Sequence, residues 1–332
     1  MQKLPSHAHE VAANGPAVVT QFLDVETPEM RSLYEKAKRD QWNASTDIDW
    51  DSGLAPDCGI LPDGLIDIYG TPYWERMSAA ERLQLNRHFS AWRMSQLMYG
   101  EQFALMVCGQ IANAVPGIDA KFFMATQVMD EARHSEVLAR YLYEKVGVTY
   151  PLTSNLSDMF DRVLETPLWY LKTVGTQLVA ETLAVSLFRM LADHSPDPLI
   201  SQICRRILAD ESRHMGFGML SLPEQVTELS DREIEEAEDF ACVATAGLLQ
   251  GQFPQEAYEA VGFSKAEISD IKTMRRTAAE KNEYVAFRQY FKKDFHTALW
   301  SNMDKVGLLS QRAIDRLGTM GICAPERSAA AA

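Results

Sequence analysis

The sequence predicts an all-α fold, a four-helix bundle with additional flanking helices, on three observations. Period-2 alternation is nearly absent, long stretches carry apolar residues at the 3.6-residue period, and helix-start signals precede those stretches. Thr27 followed by Pro28 offers an N-cap and a first-turn proline. Ser78, Ser230 and Ser264 each have a glutamate three residues on (Glu81, Glu233, Glu267), which is capping-box spacing.

In chain order these signals place helices at about 27–41, 79–115, 120–146, 167–193, 197–222, 231–252 and 265–305. Pro116-Gly117, Gly147 and Pro223 supply the breaks. The stretch from about 43 to 73, rich in Pro, Gly and Asp, reads as irregular chain wrapping the helices. No change of composition marks a linker, so residues 27–318 read as one domain. Residues 1–26 are expected to be a flexible tail and 319–332 a disordered one.

The chain has 332 residues, 46% apolar and 23% charged, enough to bury a sizeable core. A net charge of −14 without any basic run argues against nucleic acid or an anionic membrane surface as partner. Cys58, Cys108, Cys204, Cys242 and Cys323 are scattered and form no Cys-x-x-Cys pair. They indicate neither a disulfide framework nor a thiolate zinc site, and they fit a reducing cytoplasm. The N-terminus lacks the apolar core of a signal peptide, and no uninterrupted apolar run of about 18 residues follows, so a cytoplasmic protein is expected.

One pattern is written twice. Glu101, Glu131 and His134 recur at an offset of 80 as Glu181, Glu211 and His214, and Asp130 and Arg133 recur as Asp210 and Arg213. In each half the first glutamate stands 30 residues before the second. The chain then runs outward for about 13 residues (~20 Å), turns and returns, which leaves both acids at one height. Glu-x-x-His puts carboxylate and imidazole on one helix face, and two such hairpins bring four glutamates and two histidines to one point.

Glu101 is the only charged residue in 94–118 and Glu181 the only one in 173–188, so both lie in core helices. A carboxylate buried there is costly unless protonated, paired or bound to metal. Four carboxylates offset two divalent ions, and oxygen plus imidazole donors suit iron or manganese. A buried dinuclear metal site in a bundle of about 79–222 is therefore expected.

Asp130 and Asp210 can accept the outer N–H of the histidines, with Arg133 and Arg213 anchoring those acids; ordinary surface ion pairs have the same spacing. Gln127 and Gln177, one turn before Glu131 and Glu181, can point toward the metals or be satisfied core amides. Leu97, Ala104, Cys108, Ala184, Val185 and Phe188 share the ligands' faces and can line a pocket or simply pack the core. Residues 42–50, with two tryptophans and two aspartates, are either a docked irregular stretch or a functional one.

The six-ligand pattern resembles that of the ferritin-like diiron-carboxylate superfamily. Within it, residues 99–104 and the two Asp-Glu-x-Arg-His runs are similar to bacterial multicomponent monooxygenase hydroxylases, the ribonucleotide reductase small subunit and the p-aminobenzoate N-oxygenase type. The resemblance implies a ferritin-like bundle holding two iron ions, Fe/Fe with Mn/Fe as the alternative. Glu101, Glu131 and His134 would bind one ion and Glu181, Glu211 and His214 the other, with glutamates bridging. The implied activity is O2-dependent oxidation of a small organic substrate, by C–H hydroxylation or amine N-oxygenation. A ferredoxin or reductase would donate electrons, and a homodimer is expected.

Three departures from those subfamilies stand out. Leu138 occupies the place of the reductase subunit's tyrosine, so a stored tyrosyl radical is not expected. Val185 occupies the place of the hydroxylases' threonine, and Ile207 that of the N-oxygenase type's additional histidine. A ferritin-type ferroxidase and a metal-radical subunit are the alternatives. Ferritin chains are about half this length, and the helices expected after 222 suggest a pocket or an interface.

Overall fold

The computed structural model describes residues 10–12, 15–21, 27–55, 57–250, 252–280 and 286–324, with backbone alone at 279–280 and 286–291. Chain order runs α1 (Pro28–Arg39), α2 (Pro72–Glu75), α3 (Ala79–Ala114), α4 (Ile118–Arg140), α5 (Ser154–Glu165), α6 (Trp169–Thr173) and α7 (Glu181–His194). It continues through α8 (Pro198–Thr227), α9 (Asp231–Leu249), α10 (Gln255–Ala260), α11 (Lys265–Glu280), α12 (Ala286–Lys305) and α13 (Gln311–Thr319). Among the described residues there is no strand.

Local chemistry starts these helices where the spacing predicts. At α3, Ser78 Oγ accepts from the Glu81 N–H at 3.3 Å while Glu81 Oε2 accepts from the Ser78 N–H at 2.7 Å. The same reciprocal pair closes at Ser230 with Glu233 and at Ser264 with Glu267. Asp197 adds a cap at α8, its Oδ1 accepting from the Leu199 N–H at 3.0 Å. Thr27 stands at the N-cap of α1, but its side chain makes no cap bond. Its N–H goes instead to Asp119 Oδ2, at 3.3 Å.

Several expectations about boundaries are corrected. The helix expected to stop at Pro223 continues to Thr227. Proline there removes one backbone bond, while Leu222 is buried and Val226 packs on the core, and this packing holds the last turn. The helix expected over 120–146 ends in a π-helical turn, Tyr141–Val146, closed by Gly147 at φ 76°. The one expected over 167–193 carries a π-helical turn, Val174–Ala180, between α6 and α7. The single helix expected over 265–305 is described as α11 and α12, with 281–285 outside the described residues. Helix α5 was not expected, although Leu156, Met159, Phe160, Val163 and Leu164 bury one helical stripe.

Two apolar clusters divide the interior. One takes Phe103, Val107 and Ile111 of α3, Phe123 of α4, Leu178 before α7 and Phe217 of α8; the other takes Phe89 of α3, Leu138 of α4, Phe188 of α7 and Ile203 of α8. Every helix of the bundle thus crosses from one cluster to the other, and the six predicted ligands fall in the gap between them. The irregular stretch around 43–73 wraps the second cluster, burying Trp42, Ile48, Trp50, Ile60, Ile66 and Ile68.

Of the expected N-terminal tail, Val18 donates to the Asn113 carbonyl at 2.9 Å; residues 1–9, 13–14 and 22–26 lie outside the described ones. Of the expected C-terminal tail, Ile322 is fully buried, and 325–332 lie outside. The helical path Trp169–His194 is long and apolar enough to cross a membrane by composition, yet 72% of its most apolar window is buried inside the bundle.

Candidate metal centre

Glu101 on α3, Glu131 and His134 on α4, Glu181 on α7, and Glu211 and His214 on α8 are all buried and meet in the gap between the clusters. One oxygen or ring nitrogen from each of Glu101, Glu131, His134 and Glu211 lies within 4.8 Å of the others. The same holds for Glu131, Glu181, Glu211 and His214. Glu131 and Glu211 belong to both groups, so the two clusters share an edge of two carboxylates.

Both imidazoles turn Nδ1 inward. His134 Nδ1 stands 3.2 Å from Glu101 Oε2, 3.5 Å from Glu131 Oε2 and 3.1 Å from Glu211 Oε1. His214 Nδ1 stands 3.1 Å from Glu131 Oε1, 3.7 Å from Glu181 Oε1 and 3.0 Å from Glu211 Oε2. Their Nε2 atoms turn outward to the aspartates, and they do so crosswise. His134 Nε2 is 3.0 Å from Asp210 Oδ2, and His214 Nε2 is 3.3 Å from Asp130 Oδ2. Each aspartate therefore holds the histidine of the opposite hairpin and ties the halves together.

Arg133 bonds Asp130 and reaches Asp210 at 3.2 Å, and Arg213 bonds Asp210. Two residues that the sequence reading did not assign complete this layer. Gln41 Nε2 donates to Asp130 Oδ1 at 2.9 Å, and its Oε1 accepts from Arg133 at 2.7 Å. Trp42 Nε1 donates to Asp210 Oδ2 at 2.7 Å, and its ring lies 4.6 Å beneath the Arg133 guanidinium. The only sequence signal for them was the tryptophan-aspartate stretch that begins at Trp42.

On another side of the acids, Gln127 Nε2 donates to Glu131 Oε1 at 2.9 Å and to Glu181 Oε1 at 3.1 Å. Gln177 follows, its Nε2 reaching Gln127 Oε1 at 3.4 Å and Cys108 Sγ at 3.6 Å. Leu97, Ala104, Cys108, Ala184, Val185 and Phe188 are buried or half-buried in the bundle. A cavity of about 650 Å³ lies elsewhere, on the α3–α5 flank, walled by Tyr99, Phe103, Met106, Phe160 and Leu164 among others. None of those six residues is in its wall.

Electrostatics divides the acids into two kinds. Burial, with the neighbouring charges of Glu131 and Glu211, holds Glu101 and Glu181 well above the ordinary carboxylate range. Burial would raise Glu131 and Glu211 too, but the His214 charge and hydrogen bonds around them pull both below it. The imidazoles, which burial alone would push down, are held well above their usual value by the carboxylates around them. Burial also pushes the Cys108 thiol up.

The residues fit a pair of divalent ions. Among the described residues Glu131 Oε2 and Glu211 Oε1 are buried and take no well-aligned hydrogen bond, His134 Nδ1 being the polar atom that faces both, at 3.5 and 3.1 Å. The donor set is hard oxygen plus imidazole, with no thiolate among it.

The chain's amino acids match the family model of p-aminobenzoate N-oxygenase AurF over residues 26–297. The chain belongs to the AurF family. It is accordingly an O2-dependent oxidoreductase of the diiron oxygenase class rather than a ferritin-type iron store. No curated protein sequence matches the chain.

Among solved structures the chain is similar to a mutant R2-like ligand-binding oxidase with aerobically reconstituted Mn/Fe cofactor. The two are 19% identical over 86% of this chain and 94% of that one, with a TM-score of 0.52. It is also similar to R2-like ligand-binding oxidase with aerobically reconstituted metal cofactor after photoconversion, at 21% identity over 86% and 94%, TM-score 0.52. These likenesses establish the ferritin-like helical fold for this AurF-family chain.

Proposed function

We propose that this AurF-family protein N-oxygenates a small primary aromatic amine with O2 at a pair of iron ions. Glu101, Glu131, His134 and Glu211 would hold one ion, and Glu131, Glu181, Glu211 and His214 the other. The observation that carries the reading is the shared edge: Glu131 and Glu211, both fully buried, belong to both clusters and lie between the two imidazoles. Iron bound there would supply the redox chemistry that makes O2 an oxidant of an amine nitrogen.

The chain's own residues do the rest. Crosswise Asp130 and Asp210 fix each imidazole with Nδ1 inward, and the guanidinium groups of Arg133 and Arg213 anchor the aspartates in place. The two apolar clusters exclude water above and below the acids. One atom of O2 goes to nitrogen and the other leaves as water, so a ferredoxin or reductase supplies electrons from outside the chain. Five free cysteines favour a reducing cytoplasm as its compartment. A single domain over 27–318 and a homodimer complete the proposal.

The test is to load the protein with iron, supply a reductant and O2, and look for N-oxygenated product from p-aminobenzoate and related arylamines. Amine-dependent O2 consumption with N-hydroxyl, nitroso or nitro product supports the reading. Iron oxidation and retention indifferent to every amine would contradict it.

A further inference from the structure

The polarity of one buried hydrogen-bonded chain is fixed by the acids at its end. Gln127 Nε2 faces Glu131 Oε1 at 2.9 Å and Glu181 Oε1 at 3.1 Å, and acids that hold metal are acceptors only, so the group between them is the amide N–H. Its Oε1 therefore faces Gln177, and the Gln177 group that meets it at 3.4 Å must be the donor Nε2. Flipping Gln177 would set two carbonyl oxygens against each other. The Gln177 carbonyl is thus directed away from Gln127. It is fully buried and has no hydrogen-bond partner among the described residues.

Two further features hold that oxygen in place. Gln177 sits in the π-helical turn Val174–Ala180, directly before Glu181, the kind of local irregularity that gathers at functional sites. Gly218 of α8 lets the neighbouring backbone approach so closely that an added Cβ would stand 3.0 Å from Gln177 Cβ. The Cβ of Gln177 is packed directly against α8.

We propose that the Gln177 carbonyl is the acceptor for an N–H of the amine substrate. This rests on the N-oxygenase reading and adds a specificity residue to it. A buried, unpaired acceptor discriminates because a substrate without the matching donor leaves it unpaired, whereas one with an N–H satisfies it. Gln127, wedged between Gln177 and the acids, transmits its position to both glutamates.

The experiment titrates iron-loaded, reduced, oxygen-free protein with p-aminobenzoate and with p-toluate, which replaces the amine by a methyl group of similar size. The wild type should bind the amine about tenfold tighter or more. In Gln177→Met the ratio should fall close to one, with p-toluate affinity and iron content unchanged. Gln177→Glu, whose buried acid stays protonated and keeps both a donor and an acceptor, should restore the preference. A ratio unchanged in Gln177→Met overturns the proposal while leaving the enzyme reading intact. Failure of both probes to bind the wild type contradicts the arylamine reading and the proposal together.

A second arm needs no variant. In the wild type, p-(methylamino)benzoate, with one N–H left, should keep the preference, and p-(dimethylamino)benzoate, with none, should lose it. Equal binding of the dimethyl compound overturns the assignment even if Gln177→Met does not fold.

Discussion

The two hairpins, α3–α4 and α7–α8, carry the same pattern 80 residues apart, yet their surroundings differ at every level beyond the ligands. Glu101 rides on an uninterrupted helix, while Glu181 emerges from a π-helical turn. Asp210 collects Trp42, Arg133, Arg213 and His134, whereas Asp130 collects Gln41, Arg133 and His214. The repeated residues supply a symmetric set of donors. The unrepeated ones, Gln41, Trp42, Gln127 and Gln177, make the two ends of the centre chemically distinct.

The largest effects should come from breaking the shared edge. Glu131→Ala or Glu211→Ala removes a member of both clusters and should leave less than one iron per chain, while Glu101→Ala or Glu181→Ala removes a member of one cluster and should spare the other ion. Iron analysis of the four purified variants checks this; equal losses in all four would show that no carboxylates are shared.

Next come the aspartates. Asp210→Asn and Asp130→Asn should each weaken metal binding by about 10–100-fold in a chelator competition. Asp210→Asn should cost the more, because Asp210 accepts from the indole N–H of Trp42 and from two guanidinium groups besides facing His134, and asparagine keeps only one acceptor oxygen for them. Equal or reversed effects would remove the asymmetry argued above.

The π-helical turn of the second hairpin can be tested by overpacking. A Cβ on Gly175 would meet Val163 Cγ2 at 2.8 Å and Phe240 Cε1 at 3.1 Å, so Gly175→Ala should destabilise by about 1–3 kcal/mol in denaturant unfolding. The residue in the same place of the first hairpin, Ser95, bonds its own helix carbonyl at 2.8 Å, and Ser95→Ala should cost about 1 kcal/mol.

The gentlest test is pH. In metal-free protein His134, His214, Glu101 and Glu181 all have folded pKa values above their unfolded ones. Such groups bind protons more tightly when folded, so their contribution is complete at low pH. It fades as pH rises through 4.5 for the acids and 6.5 for the imidazoles toward the raised folded values. The melting temperature of metal-free protein should fall from pH 6 to 9, about neutral and above, while metal-loaded protein stays level. Metal loading should also release protons, because the ions displace them from groups whose proton affinity is raised in the metal-free fold.

The ligand pattern was legible because metal chemistry demands particular residue types at fixed helical spacing, and the repeat removed the ambiguity of a single Glu-x-x-His. Capping boxes at Ser78, Ser230 and Ser264 were legible because they are local. Gln41 was not legible, because its role depends on where the end of α1 lands against Asp130, 89 residues away. Nor was the crosswise pairing, since i,i+3 spacing fixes a helix face but not which hairpin's aspartate lies opposite. At Pro223 tertiary burial of Leu222 outweighs one lost backbone bond, which no local signal carries, whereas the apolar stripe of α5 is present in the sequence.

Ile207 bears on the reaction. It takes the place where the N-oxygenase type has a further histidine, and it is fully buried within the second apolar cluster. Ile207 offers no metal donor there, and the donor set proposed for this chain is the six residues described.

The most direct measurement is an iron titration of the wild-type protein under reducing, oxygen-free conditions, followed by metal analysis after desalting. Two carboxylates shared between clusters predict retention of about two irons per chain, loaded together across the titration. Retention of one iron or fewer at saturation would contradict the paired centre and the oxygen chemistry built on it.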